Sequence, residues 1–187
     1  MKNLSNQETE LQALKQLIHS AFAEVPYPGD SNLRNSSEGQ EPFLLEQEFQ
    51  GKDDWRTLSP DFIDQSPDGF STALSFFSIA AFRFYLPAYL LADLDGLLVY
   101  TDPVFYLTYG LTDATKEVEV NPKRYGTLTW FEYVSTRFSV FTPTQAGAIA
   151  SYLKVKLKDA ATEFEHEQIE QALRNFWEIS SNPGSAS

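Results

Sequence analysis

Hydrophobic positions along the chain fall into short periodic blocks separated by proline- and glycine-rich punctuation. From Glu8 to Val25, the residues Leu11, Leu14, Leu17, Ile18, Ala21 and Phe22 recur at i, i+3, i+4, i+7 spacing, which predicts an amphipathic helix. Pro26 and Pro28-Gly29-Asp30 stop it, because a proline cannot continue a helix. Residues 31–40 are polar and turn-rich and read as a surface loop with no chemistry of its own. Residues 41–55 place Phe43, Leu44, Leu45 and Phe49 among acids and admit either a short helix or a strand. Ser59-Pro60-Asp61 is a helix start, with serine at the N-cap, proline in the first helical position and an acid in the first turn. Ser66-Pro67-Asp68-Gly69 reads as a turn.

Residues 78–94 are the densest apolar and aromatic stretch, interrupted by Arg83 and Pro87. Residues 73–92 form a window long enough to span a bilayer. Arg83 would then sit near its centre at a cost of about 2.5–3.5 kcal/mol, and Pro87 would break the hydrogen-bond ladder, so the reading is a buried, kinked core helix. Pro87 lacks an N–H and leaves the carbonyl of Arg83 free, which brings both irregularities to one place.

Asp95-Gly96 ends that helix. Leu97 to Tyr100 is apolar and reads as a short strand or an extended link, and Thr101-Asp102-Pro103 starts a short helix through Tyr109. Residues 111–126 look like an exposed excursion in which Glu117 to Val120 alternate as a hairpin strand would. Thr129 to Phe141 is helical in pattern. Thr142-Pro143-Thr144-Gln145 is a capping box that opens a helix to about Lys158, and a last helix covers Thr162 to Ile179. The expected fold is mainly α, five or six helices packed round an aromatic core with at most one small β-hairpin. Residues 1–180 form a single helical domain in this reading, and 181–187 a flexible tail.

Composition sharpens this picture. Seventeen of the 27 aromatic residues lie between Phe70 and Phe141, which locates the core. The net charge is −12, concentrated at both ends of the chain. Such a field repels phosphate backbones, which argues against nucleic-acid binding and allows a basic protein partner. The absence of cysteine removes disulfides, thiolate metal sites and thiol nucleophiles, and with no apolar signal segment at the amino terminus it suits a cytoplasmic protein.

Candidate chemistry is sparse. His19 reads as a solvated or core-edge residue, because a general base needs a substrate proton or nucleophile in reach. Glu163 and His166 form a Glu-x-x-His pair like those of di-iron bundles, but the chain has no second such pair, so acids at a helix N-terminus are the simpler reading. Asp93-Leu94-Asp95-Gly96 opens like a calcium loop, yet Leu97, Leu98 and Val104 stand where ligands and glycine belong. No phosphate loop, serine elbow or Ser-x-x-Lys occurs. Arg83 is the main candidate site residue, with Tyr85 and Tyr89 as ligand- or partner-binding neighbours. Its alternative role is structural, paired with an acid such as Asp61, Asp64 or Asp93.

Trp55-Arg56-Thr57-Leu58-Ser59-Pro60, the run Phe76 to Leu91 and Phe141-Thr142-Pro143-Thr144-Gln145, together with Ala21-Phe22 and Pro26-Tyr27-Pro28-Gly29-Asp30, resemble a family of uncharacterised bacterial proteins, a domain of unknown function. The chain departs from that pattern at Ile79, where a proline commonly follows the cap. The resemblance implies a bacterial cytosolic domain with no catalytic residues and no cofactor to carry over. The functional expectation is a non-catalytic protein-binding module, an inhibitor or immunity factor for a basic partner. The alternative is a small-ligand protein or enzyme with its pocket at the Arg83–Pro87 kink.

Overall fold

The computed structural model describes residues 2–182, which form ten helices and three 3-10 turns with no β-strand among them. The chain divides into two compact units, residues 1–103 and 104–187. Of the expected flexible tail, residues 183–187 lie outside the described residues, and Ser181 ends the last helix.

The first unit holds α1 (Lys2–Phe22), α2 (Glu41–Phe49), α3 (Pro60–Gln65), α4 (Ala73–Phe76) and α5 (Ile79–Leu94). α5 is apolar all round, the signature of a helix buried on every side, and it runs through Pro87 without interruption. α1, α3 and the 3-10 turn Trp55–Thr57 pack directly on it. Phe49 of α2 brings an aromatic cluster together, its ring centroid 4.8–4.9 Å from those of Phe62, Phe77 and Tyr85. Burial of these rings carries the stability, and the edge-to-face contacts of Phe49 with Phe77 and Tyr85 add about 0.5–1.5 kcal/mol per pair.

The departure from the pattern at Ile79 does not disturb the start of α5. The Ser78 hydroxyl accepts from Ala81 N–H at 3.0 Å and donates to the Asn32 carbonyl at 2.6 Å, while Ser78 N–H donates to Leu33 at 2.8 Å. These bonds overturn the reading of residues 31–40 as a surface loop throughout. Asp30–Asn32 is a 3-10 turn, Arg34 forms an antiparallel bridge with Phe77, and Leu33 has no exposed surface.

The second unit contains α6 (Pro103–Thr108), α7 (Pro122–Tyr125), α8 (Trp130–Phe138), α9 (Pro143–Asp159) and α10. α10 is built of Glu163–Ala172, a π-helical turn Leu173–Trp177 and a last turn Glu178–Ser181. α9 and α10 run antiparallel, with Lys154 paired to Glu178 and Gly147 close to Ser181. Trp177 anchors this core: its indole N–H donates to the Leu107 carbonyl at 2.8 Å, and its ring meets those of Phe138, Phe141 and Phe176. The anticipated capping box is present at Thr142, and Thr129 with Glu132 forms a second that sequence reading missed.

Two parts of the expected fold are corrected. Ten helices form rather than five or six: α4 and α7 are only four residues long, too short to show a period, and the short α3 and α6, each marked by its starting proline, add to the longer helices. The hairpin does not form. Its alternating residues make one bridge, Glu119 to Thr129, before Asn121-Pro122 turns the chain into α7. Proline has no N–H with which to extend a ladder.

Leu33→Ala is expected to cost about 2–5 kcal/mol in urea unfolding, the range for a buried leucine and far above that for a loop residue. Gly110 has φ of +84°, and a Cβ there would lie 2.6 Å from Cγ2 of Val134. Gly110→Ala should therefore destabilise by about 2–4 kcal/mol, combining a disfavoured backbone with overpacking, whereas Gly126→Ala, with open space around it, should cost less.

Candidate functional site

The C-terminus of α5 builds the most exposed apolar feature of the first unit. Gly96 takes a positive φ of 68°, and Leu97 N–H closes the helix onto the Ala92 carbonyl at 3.0 Å. The following backbone converges on one buried carboxylate. Asp64, 4% exposed, accepts from the N–H groups of Val99 at 2.9 Å, Tyr100 at 3.0 Å and Thr101 at 2.8 Å. The Thr101 hydroxyl donates back to the Asp64 carbonyl at 3.1 Å. Charge-assisted bonds of this kind are the strong ones. They hold the loop with Leu97, Val99 and Tyr100 pointing outward, 50%, 78% and 69% exposed.

Beside the loop lies a groove of about 150 Å³. Trp55, Leu58 and Ile63 line it, together with Ala88, Leu91 and Leu97. Its charged lining residues are engaged within the fold. Arg56 pairs with Asp54 at 3.1 Å, donates to the Ala23 carbonyl at 3.1 Å and stacks on Trp55, and Asp95 is paired with Lys15. A second cleft of about 250 Å³ is lined by Glu48, Asp61, Phe62, Gln65 and Asp68. The Lys52 ammonium lies 4.7 Å from the Phe62 ring centroid, so this aromatic wall already holds a cation.

The sequence-predicted site residues lie elsewhere. Arg83 is half-buried on α5, and Tyr85 and Tyr89 have no exposed surface. Tyr85 donates to the Lys52 carbonyl at 2.8 Å. Its neighbour Tyr27 packs edge-on to Phe84 and donates to Asp30, which also accepts from Gly51 N–H at 2.8 Å. Burial first, and then the bond to Asp30, pushes the Tyr27 phenol up to about 12, while that same bond holds the Asp30 carboxyl below its ordinary range. Burial likewise raises the Tyr85 phenol. Phenols held neutral in this way donate hydrogen bonds and do not act as bases at physiological pH. Asp64, considered as a partner for Arg83, is given to the loop backbone.

His19 packs edge-on to Trp55 with centroids 5.3 Å apart. His166 lies 3.7 Å from Glu170, and the acids at the start of α10 serve its N-terminus, with Glu165 meeting Ala161 N–H. Among the described residues no group of three or more His, Asp or Glu side chains converges to hold a metal ion.

The motif residues thus meet in space as fold-bearing contacts: Arg56 on Ala23, Tyr27 against Phe84, and Ser78 and Thr142 as helix caps. The model of the family of unknown function DUF6714 matches residues 10–181, nearly the whole chain. The chain belongs to that family. No curated protein and no solved structure matches it. The DUF6714 assignment runs from within α1 to the end of α10 and names no reaction, so function has to be argued from the surface.

The Asp64 staple was not visible in the sequence, where Asp64 is one of many acids and residues 97–100 read as a strand or a link. Asp64→Ala is expected to leave three backbone donors without their acceptor, costing about 3 kcal/mol and speeding amide exchange at residues 99–101 more than elsewhere. For Tyr27 the folded value lies above the ordinary 10.0, so its contribution to stability is complete below pH 10 and is lost as the pH rises towards 12. Tyr27→Phe should flatten that alkaline decline in a urea-unfolding series taken from pH 8 to 12.

Proposed function

We propose that this DUF6714 protein is a non-catalytic binding module of the bacterial cytoplasm that captures a basic protein through its first unit, as an inhibitor or immunity factor would. The observation that carries this reading is the stapled loop, where Val99 and Tyr100, the most exposed large apolar side chains among the described residues of the first unit, stand out beside Leu97. A hydrophobic hook held by three backbone bonds is ordered before a partner arrives, so little entropy is lost when it docks. Tyrosine at the centre of such a patch is a frequent energetic anchor.

Charge selects the partner class. Residues 1–103 carry six Lys/Arg against sixteen Asp/Glu, whereas residues 104–187 carry eight against ten. The electrostatic field therefore comes mainly from the unit that bears the hook, and it steers cationic surfaces towards it. No described helix is long and apolar enough to cross a membrane, which is consistent with a partner met in solution. The alternative, a ligand pocket at the Arg83–Pro87 kink, draws less support because Tyr85 and Tyr89 lie wholly within the core.

A pull-down from native lysate should recover one stoichiometric basic protein with the wild-type chain, released progressively by salt. Tyr100→Ala should weaken that complex by about 2 kcal/mol, roughly thirtyfold, with the fold unchanged by circular dichroism. Recovery of no stoichiometric basic protein would overturn the proposal.

A further inference from the structure

Helix α3 separates two recesses of different chemistry. Pro60 and Ile63 line the apolar groove, whereas Asp61, Phe62 and Gln65 line the acidic cleft. One short helix thus carries an apolar seat on one side and a carboxylate-rich seat with an aromatic wall on the other. The apolar seat continues through Leu97 into the exposed loop, and the acidic seat gathers Glu48, Asp61 and Asp68.

We propose, resting on the binding-module reading above, that the partner presents one extended segment that crosses α3. Its aliphatic side chain fills the groove between Leu58 and Leu97, and a Lys or Arg side chain enters the cleft beside Asp61 and Asp68. Charge complementarity selects the cation: the cleft supplies the exposed carboxylates of Asp61 and Asp68, beside Glu48, which accepts from the Asp68 N–H at 2.6 Å, in a unit already rich in acids. Geometry sets the spacing. A helix with its side chains is about 10–12 Å across, and an extended chain advances about 3.3 Å per residue, so the two anchors are three or four residues apart.

A set of synthetic ten-residue peptides tests this on the intact chain, each peptide carrying one Leu and one Arg at separations from one to seven within a Ser/Gln/Ala background. Affinity should peak at separations of three and four, at least tenfold above a separation of one. Leu97→Asp should weaken the best peptide about tenfold while leaving its salt dependence in place. Asp61→Lys should weaken it similarly and remove most of the salt dependence. Both substitutions fall at exposed positions, and thermal melts check that each variant is folded. An affinity flat across separations, no binding by any peptide, or equal binding to both variants and the wild type would overturn the proposal. A lysate partner that binds both variants as tightly as the wild type would remove the α3 crossing and leave the binding-module reading standing. The expected peptide peak without any lysate partner would remove the binding-module reading, and with it the biological role of the crossing.

Discussion

Everything in the first unit answers to one constraint, the need to bury α5 on every side. A helix with aromatic and aliphatic residues round its whole circumference has no stable position at a surface, so each neighbouring element exists to cover part of it. α1 and α3 pack on it directly, Phe49 of α2 reaches it through Tyr85, and the polar segment after α1 is pulled in until Leu33 is fully buried. Several backbone groups left outside the helical ladders find side-chain partners. Ser78 settles the start of α5, Tyr85 meets the Lys52 carbonyl, and Asp64 satisfies the chain as it leaves. Buried donors without acceptors are costly, and that cost turns a collapse of apolar residues into one defined arrangement.

Asp64 shows how a structural solution becomes a functional opportunity. A buried carboxylate is tolerated only if it is well bonded, and three consecutive backbone N–H groups supply those bonds. The geometry that neutralises this cost also fixes the loop with its apolar side chains outward. The second unit solves its own burial problem differently, drawing Trp177 into a ring cluster through a π-helical turn. That turn also places Arg174 and Asn175 on Asp113, with bonds of 2.7 Å and 2.9 Å, so the segment read as an exposed excursion is tied down at its start.

The readable elements were those with long periods or strong punctuation. α1, α5, α9 and α10 announce themselves by spacing and caps over ten or more residues, and α3 by Ser59-Pro60-Asp61. α4 and α7 do not, since four residues make a single turn whose stability comes from packing. The Glu117–Val120 alternation was a true local signal that found only one bridging residue pair. Arg83 drew attention as a charge within an apolar run, but that rule says only that the group needs a partner or a route to solvent. Leu97, Val99 and Tyr100 were passed over because an apolar run ordinarily predicts burial.

By itself the sequence determined the helical class, the location of the aromatic core, the buried character of residues 78–94 and the acidic charge, since each follows from composition and local period. Only the tertiary structure decided that Leu33 belongs to the core, that Asp64 holds the loop and that α3 divides an apolar groove from an acidic cleft. The first two features join residues more than thirty positions apart, and the third gathers side chains from Glu48 to Leu97 round one short helix. Such contacts arise from the competition of all elements for the same buried volume, which no local window of sequence encodes.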